Sequence, residues 1–344
     1  MKKILTAIAF FAMPGAALAG SHSSVAWGGD IEFGYNNLIN NGFYLNTGVN
    51  ITLETDLDND VTATVTIGGN LNNSAGGIEW DNFPTLIIKA DWLTFSVGDV
   101  GSAADDMFSS VSGMNLNNAA IPDDEIDFFS PGGEMIVRAD VEFGEITVAI
   151  SGDAPNFQSG GPVNNPSIGI SGAIGELDFG LGYDTLGDRD VASVVGANIE
   201  FEIGRFDVEM AYQIDGEGDS AFGLGANGRV GEVDITAYYA INSSNANEYG
   251  AAIDVDIGEV DVEIYWDGED GAAPNSGVDL RYEVSGDLTT YAGFDQADGF
   301  YFGAILKVAK GAEFGVSLAA DAGGEDHGPK DFKDGISTWF SAEF

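Results

Sequence analysis

Along most of the chain from residue 25 onward, apolar residues recur at every second position, in runs separated by turns and loops. Between Phe206 and Tyr212 the apolar members are Phe206, Val208, Met210 and Tyr212, with Asp207 and Glu209 between them. Residues 260–266 repeat the pattern: Val260, Val262, Ile264 and Trp266 alternate with Asp261, Glu263 and Tyr265. Segments 61–67, 93–97, 197–203 and 278–284 read the same way. Side chains of a strand point alternately to opposite faces, so each run predicts a strand with one apolar face and one polar or ionised face. About twenty such runs are expected. No segment is long and apolar enough for a membrane helix of about 20 residues.

The runs are joined by a recurring tetrad of an apolar residue, glycine, a charged residue and another apolar residue. It occurs at Phe143-Gly144-Glu145-Ile146, Ile174-Gly175-Glu176-Leu177, Ile203-Gly204-Arg205-Phe206, Val230-Gly231-Glu232-Val233 and Ile257-Gly258-Glu259-Val260. Glycine supplies the positive φ that a two-residue hairpin turn needs. Longer polar segments separate these turns at 215–220, 242–247, 267–277 and 322–334. Short turns at one end and long loops at the other predict an up-and-down antiparallel β-barrel in a single domain.

A soluble sandwich also alternates, but at this length it would contain fully apolar core strands. A transmembrane barrel instead turns its apolar face to lipid and its polar face to a watery lumen. Aromatic residues fall at strand ends, at Trp27, Trp92, Phe143, Phe206, Tyr239, Trp266, Phe300 and Phe314, where an interfacial girdle belongs. The last strand closes on Phe344. The membrane barrel is the expected fold.

Charge sharpens the picture. The 344 residues carry 56 Asp plus Glu against 12 Lys plus Arg, a formal charge of -44, yet 44% are hydrophobic. The aromatic content excludes an acidic disordered chain, and the scarcity of basic residues excludes a nucleic-acid partner. Without cysteine there are no disulfides, thiolate sites or cysteine nucleophiles, and His22 and His327 are the only histidines. At the front, Lys2 and Lys3 precede an apolar stretch that ends in Ala17-Leu18-Ala19. That is the form of a secretory signal peptide over residues 1–19, leaving 20–344 as the exported barrel.

On these features the chain resembles the general diffusion porins of Gram-negative bacteria, closest to those of alphaproteobacteria. The residues that carry the likeness are the cleavable leader, the run Leu93-Thr94-Phe95-Ser96-Val97-Gly98-Asp99 before a long acidic segment, the Gly-punctuated hairpins and the terminal Phe344. The resemblance implies an outer-membrane channel of about sixteen strands, a homotrimer set in outer-membrane lipid and lipopolysaccharide. It also implies that Phe344 is read by the barrel-assembly machinery. No cofactor is expected, beyond loose Ca²⁺ or Mg²⁺ binding to acidic loops.

The longest stretch without alternation, about residues 99–133, follows the fifth predicted strand. It therefore takes the position of the porin loop that folds inward and narrows the pore. Its acids are Asp105, Asp106, Asp123, Asp124, Glu125 and Asp127, with Glu134 just beyond, and Met107, Phe108, Met114, Phe128 and Phe129 are available to pin it. On parity Lys89, Arg138 and Arg281 point inward, either facing that loop across the pore or neutralising carboxylates on their own wall. Inward acids also crowd the ends beside the short turns: Asp140, Glu142, Glu200, Glu202, Asp207, Glu209, Asp254, Asp256, Asp261 and Glu263. A negative periplasmic mouth that prefers cations follows. The competing reading is adaptation to salty water, with the acids serving hydration.

Two literal motifs carry no chemistry. Gly223 to Gly228 spells G-x-G-x-x-G, but inside an alternating hairpin rather than between a strand and a helix. Asp56, Asp58 and Asp60 copy the start of an EF-hand loop, but Val61 and Ile67 occupy the positions of its glycine and its glutamate. Other readings are a sugar-selective porin, with Tyr238, Tyr265, Tyr291, Tyr301 and Trp339 turned inward, and a plugged structural or adhesive barrel. A barrel hydrolase would need a histidine base, and neither histidine is well placed; no enzyme is expected.

Overall fold

The computed structural model of the protein describes residues 23–38, 42–57, 61–72, 77–80, 84–111, 129, 135–154, 163–186, 192–243, 247–271, 273–296, 299–321, 328–330 and 332–344. The leader at residues 1–19, and Asp123, Asp124, Glu125, Asp127 and Glu134, lie outside the described residues.

The alternating runs become strands. In chain order they are β1 (Ser23–Asn36), β2 (Phe43–Leu57), β3 (Val61–Asn72), β4 (Gly77–Trp80), β5 (Thr85–Ala90), β6 (Leu93–Gly98), β7 (Ile136–Phe143), β8 (Ile146–Asp153), β9 (Asn164–Ile174) and β10 (Leu177–Leu186). There follow β11 (Ala192–Ile203), β12 (Phe206–Asp215), β13 (Ser220–Val230), β14 (Val233–Asn242), β15 (Glu248–Ile257) and β16 (Val260–Glu269). The last are β17 (Asn275–Ser285), β18 (Leu288–Asp295), β19 (Gly299–Ala309), β20 (Ala312–Asp321) and β21 (Gly335–Glu343). One short helix, α1 (Ala103–Met107), follows β6.

Each strand pairs antiparallel with the next, except that β3 pairs with both the short flap β4 and with β5. The sheet closes where β21 pairs with β1, from Asp30↔Glu343 to Asn36↔Ser337. Beyond that register, Gly29 and Phe344 exchange two backbone hydrogen bonds of 3.0 Å. With β4 set aside, the described residues form a closed antiparallel barrel of 20 strands. The turn count is therefore met. The sixteen implied by the resemblance is not, because this chain keeps adding hairpins of the same form.

The glycines of the repeated tetrads adopt the predicted conformation: φ is 67° at Gly144, 68° at Gly175 and 71° at Gly204, Gly231 and Gly258. Register fixes which face is which. Trp27, Phe33, Ile253, Ile264 and Leu280 are exposed on the outer face, whereas Tyr238, Tyr265 and Tyr301 of the opposite parity are buried inside. Exposed aromatics ring the outside at two levels. Trp27, Trp92, Phe143, Phe314 and Phe344 lie near the short turns, and Phe43, Tyr183, Tyr239, Trp266 and Phe300 near the loop end. Phe206 is only half exposed. An outer surface of this kind is stable only against hydrocarbon.

The substitution Ile264→Arg, in the middle of β16 on the outer face, should lower stability in bilayers by about 2–4 kcal/mol. Chemical unfolding from liposomes measures it. A matching arginine at Thr236, on the inner face of β14, should cost far less.

Candidate functional site

The inner wall is not uniform. On β8 to β12 the inward residues are mostly small: Ala149, Ser151, Ser167, Gly169, Ser171, Gly180, Gly182, Gly196 and Ala211, aligned in neighbouring cross-strand rows. A wall without side-chain bulk leaves room for another layer. The segment after β6 fills it. A Cβ on Gly169 would collide with the carbonyl oxygen of Ala103, and one on Gly182 with Phe129. The segment thus lies directly on the glycine backbone.

Polar groups of the wall replace the hydrogen bonds that water would otherwise make to the segment's backbone. Ser151 Oγ accepts from the Ala103 amide and Ser167 Oγ from the Ala104 amide, both at 2.8 Å, and Asn198 Oδ1 accepts from the Ser109 amide at 3.1 Å. Ser102 caps α1 by accepting from the Asp105 amide at 3.3 Å. Apolar side chains complete the attachment. Ala104, Phe108, Val111 and Phe129 pack with Val194, Ala211, Ala221 and Tyr238 of the wall, and the rings of Phe108 and Phe129 meet edge to face at 5.4 Å. The loop expected to fold inward does so, after the fifth strand of the ring.

Arg138 secures its root. The guanidinium is nearly buried and ion-paired to Asp106 of α1 and, at 2.7 Å, to Asp140 of its own strand. It also donates to the carbonyl oxygens of Gly101 and Ser102 at 3.2 and 3.4 Å. Arg138 therefore lies beneath the loop, with its charge matched by two carboxylates, rather than facing the loop across the pore. Asp140 belongs to this anchor. Asp105 and Asp106 both sit in the single turn of α1. Lys89 stands on the inner face in the same cross-strand row as Thr94 and Asp140.

Nearer the short turns the inner face becomes acidic. Glu200 is directly opposite Glu209 and Asp178, and Glu202 is opposite Asp207. Asp254 is opposite Glu263 and Asp234, and Asp256 is opposite Asp261. Like charges in register repel, so these rows hold only with counter-charges or mobile cations. Arg281 serves one row, with 3.0 Å to Asp261 and 2.6 Å to Glu283, and Arg229 lies 3.7 Å from Asp234 and 3.8 Å from Asp256. Arg281 is thus a wall neutraliser at the mouth, and Glu142 completes the mouth at the end of β7.

Sequence reasoning missed Asp178 and Asp234, which extend the acidic rows, and the small-residue wall under the loop. The latter had a signal: Ser167, Gly169 and Ser171, then Gly180 and Gly182, hold inward positions where other strands carry acids or tyrosines. It also missed a second inward element. Phe332, from the connection between β20 and β21, is buried among Tyr291, Tyr301, Ile305 and Ala319, with Trp339 beside it. Counting around the ring, this element stands on the opposite side of the lumen from α1.

A family model described as Gram-negative porin matches residues 5–323 of the chain. Among solved structures, mutants of the Rhodopseudomonas blastica porin align with 94% of this chain and 100% of their own at 14% identity. Three of them give TM-scores of 0.48, 0.46 and 0.46. No curated protein matches.

Replacing Arg138 by Gln should cost about 1–3 kcal/mol of stability, because Asp140 is left partly buried without its partner; the exposure of Asp106 keeps the effect at the low end. The same variant, and Gly182→Leu, should raise single-channel conductance by lifting the loop from the wall. Unchanged conductance in both would show that the loop does not set the pore's width.

Proposed function

The chain belongs to the Gram-negative porins, a family of outer-membrane channel proteins, and from that premise we propose that it passes small hydrophilic solutes and ions with a preference for cations. The observation that carries the preference is the run of like-charged cross-strand pairs at the short-turn mouth: Glu200 with Glu209, Glu202 with Asp207, Asp254 with Glu263 and Asp256 with Asp261. Carboxylates held side by side in a confined lumen concentrate cations and repel anions. Anions approaching from this side meet the barrier before they reach the loop.

The mechanism is physical. The barrel supplies a water-filled path, the docked loop sets its width, and the fixed carboxylates set the sign of the ions that fill it. No covalent step is required, and the protein acts as a channel rather than an enzyme. The leader at residues 1–19 directs export and is removed, leaving 20–344 to insert. Phe344 takes part in recognition by the assembly machinery, and the mature barrel associates as a homotrimer among outer-membrane lipid and lipopolysaccharide. A sugar-stacking ladder is less well supported. Tyr238, Tyr265 and Tyr301 are 4%, 1% and 4% exposed, so their faces are covered by neighbours rather than offered to a solute.

In a planar bilayer under a salt gradient, the refolded protein should show a reversal potential of the sign for cation selectivity. Glu200→Gln with Glu263→Gln should reduce that potential and stabilise the barrel by about 0.2–1 kcal/mol per relieved pair. An anion-selective potential in the unsubstituted protein would overturn the reading.

A further inference from the structure

The inner wall opposite the docked loop carries three cross-strand rows of different chemistry. Lys307, Glu313, Ser341 and Glu32 form the row nearer the short turns. Above it, Trp339 lies between Gly315 and Gly34, and Tyr44 continues the row beyond Gly34. Above that come Ser317, Ser337 and Asn36. Cβ atoms on Gly315 and Gly34 would collide with the rings of Trp339 and Tyr44, so both rings lie flat along the wall and hollow it.

A strap closes this hollow from the loop end. It comprises Gly328–Lys330 and residues 332–334, and it is pinned by Phe332, whose ring centroid is 5.5 Å from that of Tyr301 and 6.0 Å from that of Trp339. Asn36 Nδ2 donates to the carbonyl oxygen of Asp334 at 2.8 Å. The strap brings Lys330 and Lys333 over the hollow, with Lys333 Nζ 5.6 Å from the centroid of Tyr44. Wall and strap border a recess of about 140 Å³ that opens to the lumen. Lys330, Lys333, Glu32, Glu313, Ser317, Trp339 and Tyr44 line it.

The recess is an unfinished site. Ser317 Oγ is buried and without a hydrogen-bond partner, although it borders the recess. Among the described residues, Lys330, Glu32 and Glu313 make no ion pair with one another, although all three line the same recess. Lys333 stands over the aromatic row, and Glu32 and Glu313 stand at the short-turn end, where Lys307 is directly opposite Glu313 and Lys330 also reaches. A solute that satisfies the cations, the carboxylates and the aromatic faces carries both a carboxylate and an ammonium, because an ammonium also binds well against an indole or phenol face.

We propose that this recess is a binding subsite for small zwitterions of the amino-acid and betaine class. The carboxylate is held by Lys330 with Ser317, and the ammonium lies over Trp339 within reach of Glu32 and Glu313. The subsite rests on the channel reading, since it is reached only through an open lumen. It would let solutes with no net charge be retained at the wall of the lumen, where the acidic rows alone would treat them with indifference.

The test uses glycine betaine as the probe on single channels of the refolded full chain in potassium chloride. Betaine is expected to reduce the open-channel current saturably, with choline and propionate at equal concentration giving no saturation. Lys330→Gln and Glu313→Gln should each raise the half-blocking concentration about tenfold, the equivalent of one charge-assisted hydrogen bond. Ser317→Ala should raise it by a smaller factor. A linear, unsaturable decline with betaine in the unsubstituted channel would overturn the subsite, as would equal block by choline. The absence of any conductance steps would instead overturn the channel reading beneath it.

Discussion

A peptide group in hydrocarbon has no water to bond to, and the whole structure follows from that restriction. A sheet can cross a bilayer only if its last edge finds its first, and here β21 meets β1 to do so. Closure then sets the width, since the number of strands determines the diameter. Twenty strands enclose more space than inward side chains can fill. Part of the surplus is occupied by chain: α1 and its flanks on one side, and the strap bearing Phe332 on the other. Both are laid on glycine, at Gly169 and Gly182 for the first and at Gly303 for the second. The narrow part of the pore is a lining applied to a wide tube.

The same closure decides where charge resides. Strand parity gives one face to lipid, so a chain with 56 acids must place them in the lumen and the loops. Opposite pairs such as Glu200 and Glu209 then become unavoidable in neighbouring strands of like composition. Basic residues are used sparingly and for different purposes. Arg138 ties loop to wall, whereas Arg281 and Arg229 temper the acidic rows. A residue's inward direction and its role are separate questions.

That distinction explains how much was legible in the sequence. Strand identity, facing, the hairpin glycines and the position of the inward loop were readable, because each depends on a period of two or on a local turn. The strand count was also readable from the turns, which gave about twenty where the resemblance implied sixteen. The partners of Arg138 were not. Its contact with Asp106 joins residues far apart in the chain, and parity fixes only a face. Phe332 gave no local signal because it lies in a polar segment without alternation, and its burial depends on rings supplied by three other strands, from Tyr291, Tyr301 and Trp339. Five of the seven acids expected of the loop fall outside the described residues, and of the other two Asp106 faces Arg138.

The seam between β1 and β21 has a temporal side. Asn36 and Asp334, bonded across it, are 298 residues apart. Hairpins can zip as soon as two neighbouring strands exist, but this joint must wait for nearly the whole chain. Until then the nascent sheet has two raw edges, each able to recruit strands from other molecules. Contacts of such long separation also form slowly. The polypeptide therefore spends its most hazardous interval as an open ribbon, until the two ends of the chain are brought together.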